Sequence, residues 1–340
     1  MFPYIFLNLT IILSDIFKNK VKNKKYLYAF IIFLMFFLQA FRGDFTSDYN
    51  SYLNRFKYYN LAFSQEGFLF LFDIKDPLDA LIHIALGQFT SNPVIIHIFY
   101  TIITFMVLYH FIYKYYNKID FFLFLFLFVN VGFYFQGFNV SRQIFATVLT
   151  LLVYDNLEKI NLKHFVIYIL LISLIHFSSI LFLIIGIILK YLIKKKIYIR
   201  KIIYIMFGLI LFLVILNYLN IFQFVFGNDF NFQGYNLNNI VMPTMIWIFI
   251  NSFIYFNDYR IDIKYKYFLD LYLLFVYFGL IFSLAVRFSY VFSFFNILLI
   301  SVFLNDYKYK KVKYIIYFIG FCFTYITLSG TGYDPYYFIF

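Results

Sequence analysis

Long apolar runs separated by short polar segments make up most of this 340-residue chain. A helix of about 20 apolar residues crosses the roughly 30 Å hydrocarbon core of a bilayer, so each run near that length is a candidate span. The candidate spans are Phe2–Phe17, Tyr26–Phe41, Pro93–Tyr113, Phe121–Phe135, Val140–Leu157, Leu162–Leu189, Ile202–Ile221, Val241–Phe256, Tyr267–Val286, Phe288–Leu304 and Tyr314–Leu328. The pattern predicts an all-α integral membrane protein, a polytopic bundle of about 11–12 transmembrane helices.

The composition supports lipid as the main solvent. Hydrophobic residues make up 64% of the chain and charged residues only 13%, whereas a soluble domain has about 25% charged residues. We expect residues 1–340 to form a single polytopic membrane domain, with residues 42–92 as its longest polar stretch. Cys322 is the only cysteine, which excludes a disulfide within the chain and a cysteine-based metal site.

The net charge of +12 comes from lysines that cluster in short segments between apolar runs. Cytoplasmic loops of multipass proteins carry this pattern, so a nucleic-acid partner is not expected. The cluster from Lys18 to Lys25 then stays in the cytoplasm, and residues 42–92 form an extracytoplasmic segment.

One apolar run conflicts with this orientation. If Leu162–Leu189 crosses the membrane once, the lysine clusters at residues 190–201 and 308–313 end up outside. Polar residues interrupt the run from His176 to Ser179, and a split there returns every lysine cluster to the inside. We therefore predict a re-entrant or broken-helix hairpin near His176, covered by protein or lining a cavity.

Arginines within apolar surroundings are the first candidates for chemistry. Arg142 and Arg287 each lie between apolar runs, where a guanidinium costs about 2.5–3.5 kcal/mol to insert. With Arg42 they would collect in the outer half of the membrane and form a site for phosphate groups. The alternatives are an Arg142 side chain that reaches the membrane surface and an Arg287 stacked on neighbouring rings.

The extracytoplasmic segment begins with an amphipathic pattern. A helix starting near Asp48 brings Asp48, Tyr52 and Arg55 to roughly one face. The other face is an apolar stripe of Phe45, Tyr49, Leu53 and Phe56. This pattern predicts an interfacial helix lying at the membrane surface, with Arg42 and Asp48 against the end of a span.

His176 lies at the proposed break, where it is either a proton carrier or ligand contact or a structural residue bonded to a neighbouring helix. The other histidines, His83, His97, His110 and His164, lack the spacing of a metal site. The sequence also has no glycine-rich phosphate loop. We therefore expect no metal, no cofactor and no nucleotide hydrolysis.

These residues occur in an order that resembles a known family. The order is Arg42, Asp48, Tyr49 and Tyr52, then Glu66-Gly67, then Arg142, Gln143 and Ala146, then His176 and Ser178, then Arg287, and finally Pro335-Tyr336. Nearly the whole chain is similar to the EpsG-type family of bacterial exopolysaccharide proteins, within the group of O-antigen and capsule repeat-unit polymerases.

The resemblance implies a multi-pass glycosyltransferase of the bacterial plasma membrane that needs no metal. It would join undecaprenyl-diphosphate-linked oligosaccharide repeat units at the outer face. Its partners would be these substrates, membrane lipids, and the chain-length regulator and flippase of the same pathway. The residues implied for diphosphate or substrate binding are Arg42, Arg142, Gln143, Arg287, Tyr49 and Tyr52. Asp48 is the first candidate for the catalytic base, and His176 and Glu66 are the others.

Three other functions remain open on the sequence alone. A transporter or flippase of lipid-linked oligosaccharides would also need buried arginines, although internal repeats with paired broken helices are not evident. A membrane acyltransferase would need a histidine in a more polar setting than His176. A scaffold without activity would tolerate substitution of all three arginines.

Overall fold

A computed structural model describes residues 2–22, 24–42, 49–115, 117–130, 134, 141–195, 263–278, 283–305 and 310–330. Helices dominate these residues, and they contain no β-strand. The helices are α1 (Phe2–Phe17), α2 (Lys24–Ala40), α3 (Tyr49–Glu66), α4 (Pro77–Gly87), α5 (Ile95–Tyr115), α6 (Phe121–Asn130), α7 (Ser141–Asp155), α8 (Leu162–Ser173), α9 (Leu181–Lys195), α10 (Ile263–Phe278), α11 (Ser283–Phe303) and α12 (Lys310–Gly330). Two 3₁₀ turns, Leu69–Asp73 and Phe177–Ile180, precede α4 and α9.

The chain forms two compact units. The first contains Met1–Ile184 and Ser301–Phe340, and the second contains Ile185–Ile300. In the second unit, α10 packs on α11 through rings: Phe268 stacks on Phe295 at 4.5 Å between centroids, and Phe275 stacks on Phe292 at 5.7 Å. The predicted spans at residues 202–221 and 241–256 lie outside the described residues.

The apolar runs predict the helices of the first unit well. The α1 helix has the predicted bounds, and α2, α5 and α7 differ from theirs by only a few residues. Within the described part of the chain, α5 and the segment Phe177–Lys195 are long and apolar enough to cross a bilayer. The number of spans and the position of the membrane stay predictions.

The long apolar run Leu162–Leu189 is broken near His176, as the polar residues in its middle led us to predict. The α8 helix ends at Ser173, a 3₁₀ turn follows at Phe177–Ile180, and α9 begins at Leu181. The break lies against the start of α4, because the backbone N–H of Leu78 donates to the carbonyl of Leu174 at 3.0 Å. Protein therefore covers part of the irregular backbone, as a break at membrane depth requires. A return of α9 to the side where α8 began stays a prediction.

Residues 49–92 fold onto themselves. The α3 helix begins next to Asp48 as expected, but its buried positions are Tyr49, Tyr52, Phe56, Tyr59 and Ala62. Tyr52 therefore lies on the buried face and not on the charged face that the pattern assigned to it. This face packs on α4 and the first 3₁₀ turn, where Phe70, Ala80 and Ile84 complete a small core. Burial by protein explains why the local pattern of polar residues did not determine the face.

Two glycines shape this segment. Gly67 has a φ of 61° and its N–H donates to the carbonyl of Phe63 at 3.0 Å, so it ends α3 in the left-handed conformation that glycine adopts without strain. At Gly87, a Cβ atom would stand 1.9 Å from Oδ1 of Asn60. The α4 helix can therefore lie close to α3, where Asn60 donates to the carbonyl of His83 at 3.2 Å.

A buried ion cluster joins three helices of the first unit. Lys313 on α12 is 4% exposed; it pairs with Asp15 on α1 at 2.7 Å and with Asp120, just before α6. Tyr317 donates to Asp15 at 3.2 Å. Asp120 also accepts from the N–H of Leu123 at 3.1 Å and so caps α6.

Lys18 also pairs with Asp15 at 2.8 Å and lies 3.9 Å from Asp120. We expect Lys313→Met to destabilise the protein by about 3 kcal/mol, the lower end for breaking a buried ion pair, because the half-exposed Lys18 then remains as the cation beside the two buried carboxylates. Thermal unfolding in detergent, followed by size-exclusion chromatography, measures the loss. Lys311→Met is the matched control, since Lys311 lies two residues earlier on the same helix and is exposed. Equal melting temperatures for the two variants would contradict the role assigned to the cluster.

Candidate functional site

A buried arginine lies just after α2. Arg42 is fully buried, and its guanidinium donates to the carbonyl of Gln39 at 2.8 Å, to Nδ1 of His97 at 2.9 Å and to Oγ of Ser141 at 2.6 Å. These bonds join the end of α2 to the starts of α5 and α7. Under the orientation that the lysine clusters predict, this is the outer end of the bundle.

His97 accepts a hydrogen bond from Arg42. A guanidinium has only donors, so Nδ1 of His97 carries no proton in this bond and the ring is neutral. The ring of Tyr49 stacks on His97 at 4.7 Å with an interplanar angle of 9°, and Tyr52 meets it edge-on at 5.4 Å. The first turns of α3 therefore fix the imidazole from two sides.

Arg142 lies in the first turn of α7 and contacts two carboxylates. Its Nη1 donates to Asp76 at 2.6 Å and to Asp79 at 3.3 Å. Its backbone N–H, one of those that a helix start leaves without an intrahelical acceptor, donates to the hydroxyl of Tyr52 at 3.3 Å. We call Asp76 and Asp79 the carboxylate pair.

The start of α4 supplies the carboxylate pair. Pro77 occupies the first turn, which suits its fixed φ, and Asp79 follows where an acid interacts well with the helix dipole. His83 lies one turn later, with Nε2 3.8 Å from Oδ1 of Asp79. Tyr100 of α5 donates to Asp79 and lies 3.3 Å from Nε2 of His83.

Burial changes the protonation of these α4 side chains. It raises the pKa of Asp79 to about 6, although Arg142 and the hydrogen bond from Tyr100 act in the opposite direction. Burial, with Arg142 and Arg55 nearby, lowers the pKa of His83 to about 3. His83 is therefore neutral at physiological pH, whereas the pKa of Asp79 lies close to physiological pH.

The helix break also contacts the carboxylate pair. The N–H of Phe177 donates to Oδ1 of Asp76 at 2.7 Å, while Oδ2 of Asp76 accepts from Arg142. Asp76 thus joins α7 to the turn that precedes α9. His176, the residue before Phe177, is half-buried at this point.

The structure brings four of the predicted substrate-binding residues together, namely Arg42, Tyr49, Tyr52 and Arg142. Gln143 is buried beside Arg142 on α7, and His176 lies at the break next to Asp76. Glu66 is exposed at the far end of α3, 14 residues or about 21 Å along the helix axis from Tyr52. Asp48 and the side chain of Arg287 lie outside the described residues, so their predicted roles stay predictions.

Residues that the sequence did not single out complete the site. The full polar cluster is Arg42, Tyr49, Tyr52, Asp76, Asp79, His83, His97, Tyr100, Ser141 and Arg142. The sequence contained a signal for part of it: Asp76-Pro77-Leu78-Asp79 reads as a helix start, and Asp79 and His83 are spaced to share a face. His83 and His97 lack the spacing of metal ligands, and they instead contact a carboxylate and a guanidinium.

The site is not the purely cationic pocket that the sequence predicts, because it also contains two carboxylates. Arg42 and Arg142 supply guanidinium groups, and that of Arg55 lies over the ring of Tyr52 at 5.9 Å. Both carboxylates, however, lie against Arg142 and compensate its charge. An anion that binds Arg142 must therefore compete with the carboxylate pair or arrive when Asp79 is protonated. Among the described residues, no group of three or more histidine, cysteine or acidic side chains could hold a metal ion.

Comparisons with known proteins identify one match. A family model described as the EpsG family matches residues 25–338. Neither a curated protein nor a solved structure matches the chain. The matched range includes every residue of the polar cluster.

Proposed function

Because this chain belongs to the EpsG family, we propose that it joins lipid-diphosphate-linked oligosaccharide repeat units at the outer face of the bacterial plasma membrane. The family is associated in general with a polymerase function in exopolysaccharide synthesis and with glycosyltransferase-like activity. Its members are membrane proteins. The observation that best supports the proposal is that two guanidinium groups meet at the start of α7. Arg42 donates to Ser141, the first residue of this helix, and Arg142 is the second.

The proposed reaction releases a diphosphate. The bond between the donor's anomeric carbon and its phosphate oxygen breaks, and the acceptor's hydroxyl oxygen bonds to that carbon after giving its proton to a base. Negative charge grows on the leaving phosphate, so fixed cations stabilise the transition state more than the ground state. Arg42 and Arg142 would supply that charge without losing a proton, and Gln143, Tyr49 and Tyr52 would position the donor.

The base must reach the acceptor hydroxyl next to these guanidinium groups. Asp48 remains our first candidate because it directly precedes Tyr49, whose ring stacks on the histidine that holds Arg42. His176 is the second candidate because its neighbour Phe177 donates to Asp76. The position of Glu66 on the exposed end of α3 makes it the least suitable of the three.

Polymerisation by the purified protein with a synthetic lipid-diphosphate oligosaccharide tests the proposal. We expect a ladder of products that grows by one repeat unit, with one lipid diphosphate released for each bond formed. Absence of both products, from a protein that is folded and supplied with lipid, would overturn the function.

A second candidate is a proton-coupled flippase of the same lipid-linked sugars. Asp79 favours it, because a buried carboxyl that titrates near neutrality against an arginine suits proton coupling. The two functions predict different intermediates in cells that lack the protein. Loss of a flippase leaves repeat units on the cytoplasmic leaflet, whereas loss of the polymerase leaves single repeat units on the surface.

The proposal predicts a pH dependence for donor binding. As the pH falls through about 6, Asp79 takes up a proton and releases Arg142 from one ion pair. The donor keeps its charge, since each of its phosphoryl groups carries only a strongly acidic hydroxyl. We expect the KM for the donor to fall about five-fold between pH 7.5 and pH 5.5, which corresponds to roughly 1 kcal/mol.

Asp79→Asn provides the comparison for this measurement. The amide cannot ionise, so we expect a low KM at pH 7.5 and little change as the pH falls. A KM that follows the wild-type pH dependence in this variant would assign the titration to another group.

A further inference from the structure

An apolar groove lies between α2 and α5, away from the polar cluster. The two helices run antiparallel, because Arg42 after the end of α2 contacts His97 near the start of α5. A cavity of about 910 Å³ opens between the N-terminal part of α2 and the C-terminal part of α5. Its apolar lining includes Tyr28, Ile32, Phe33, Phe36, Phe105 and Tyr109. We call this cavity the α2–α5 groove.

Ring contacts build the groove into the fold. Tyr28 packs on Phe121 with 3.9 Å between ring centroids, and Phe36 meets Phe105 edge-on at 5.9 Å. By contrast, Phe33 and Tyr109 are each 60% exposed. The groove thus has packed rings along its floor and large unburied rings along its sides, which an apolar ligand would cover.

The mouth of the groove is polar and basic. Lys25 and Asn117 line it together with Tyr26 and Tyr113, which are 75% and 74% exposed. Exposed tyrosines at the end of an apolar helix are typical of the headgroup level of a membrane. Lys25 is the last member of the dense lysine cluster Lys18–Lys25, which ends in the first turn of α2. Basic pockets between membrane helices on the cytoplasmic side bind anionic headgroups.

The length of the α2–α5 groove matches the thickness of one leaflet of a bilayer. Lys25 and Phe36 are 11 residues apart on α2, or about 16 Å along its axis, and half of the hydrocarbon core is about 15 Å thick. Arg42 lies 17 residues, or about 25 Å, from Lys25. A lipid held by its headgroup at the mouth therefore occupies the leaflet opposite the polar cluster and does not compete with it.

We propose that the α2–α5 groove binds one anionic phospholipid, with its phosphate at Lys25 and an acyl chain against the rings of α2 and α5. The charge of the mouth selects the headgroup, and the apolar walls hold the chain. The site is separate from the proposed polymerase chemistry and does not depend on it.

Native mass spectrometry of the full-length protein tests the site, with phosphatidylglycerol and phosphatidylcholine of identical acyl chains as probes. We expect the wild type to retain one phosphatidylglycerol and to prefer it about five-fold or more, as one lysine near an anionic surface contributes about 1 kcal/mol. Lys25→Gln should remove the preference. Ala29→Phe, which fills the groove from an exposed position on α2, should reduce retention of both lipids.

Lys22→Gln is the matched control, because Lys22 is an exposed member of the same lysine cluster but does not line the groove. It should keep the wild-type preference. Equal retention of both lipids by the wild type, or an equal loss in Lys22→Gln and Lys25→Gln, would overturn the proposal. Displacement of phosphatidylglycerol by an equal amount of a polyprenyl phosphate would also overturn it and would assign the groove to the tail of that lipid.

Discussion

Replacing Arg142 with alanine is expected to lower polymerisation about 10³-fold and to abolish long chains, while the protein remains in the membrane. The guanidinium would stabilise the charge that develops on the leaving diphosphate, and loss of one such group typically costs about 2.7–4 kcal/mol of transition-state stabilisation. Gel analysis of surface glycan length shows the effect in cells, and the rate of diphosphate release measures it with purified protein.

Removal of Arg142 also leaves the carboxylate pair without its cation, so a folding defect must be separated from a catalytic one. The double variant Arg142→Ala with Asp79→Asn removes one of the two buried charges. We expect it to recover part of the thermal stability, since Asp76 keeps its charge, but none of the activity. Recovery of polymerisation in the double variant would show that Arg142 serves the fold and not the reaction.

Substitution of an exposed lysine outside the polar cluster is the control for the loss of one positive charge. Lys57 is exposed on α3 and lies outside the polar cluster. Lys57→Ala should change the rate by less than about two-fold, as surface substitutions away from special features have small effects. Normal polymer length in Arg142→Ala would contradict the proposed role directly.

The second large effect is expected at Arg42. Arg42→Gln should lower the polymerisation rate about 10²-fold or more, because it removes the other fixed positive charge and a buried donor to three acceptors. Donor binding and the rate of the chemical step can be separated by single-turnover measurements. A change in KM alone would limit Arg42 to ground-state binding.

Substitutions of His97, which contacts Arg42, can distinguish a positioning role of this histidine from a role in proton transfer. His97 accepts from Arg42, and glutamine can also accept there, whereas leucine cannot. We expect His97→Gln to keep activity within about three-fold and His97→Leu to lose about ten-fold, the range of one hydrogen bond to a charged group. Equal losses in both variants, with a changed pH profile, would instead indicate that the imidazole carries a proton.

Several helices of the first unit follow from the lengths of the apolar runs, because lysines and polar turns delimit those runs. The α1 helix has the predicted bounds for this reason. The α4 helix was not predicted, since its 11 residues are too few for a span and it lies in a segment considered only for its amphipathic start. The proposed boundary next to Arg287 was wrong: α11 begins at Ser283, because arginine is a good helix former and its charge does not end a helix.

The arginines of the site could be identified from the sequence, but most of their partners could not. A cation in an apolar run is conspicuous without any knowledge of the fold. The partners of Arg142 lie 66 and 63 residues earlier in the chain, and no local period encodes such a pairing. Tyr52 shows the same limit, since its face of α3 depends on the packing of α4 and α5.

Asp76 has a consequence for how the protein is made. Its carboxylate accepts from a backbone group 101 residues further along the chain, so the segment that contains Asp76 is synthesised long before Phe177. Asp76 lacks the guanidinium until Arg142 is synthesised and lacks the backbone donor until Phe177 follows, so water must first solvate it. The contacts between the start of α4 and the helix break therefore form late in synthesis. Nascent chains that stop before residue 174 lack both of these backbone contacts and should expose α4 to proteases that full-length chains resist.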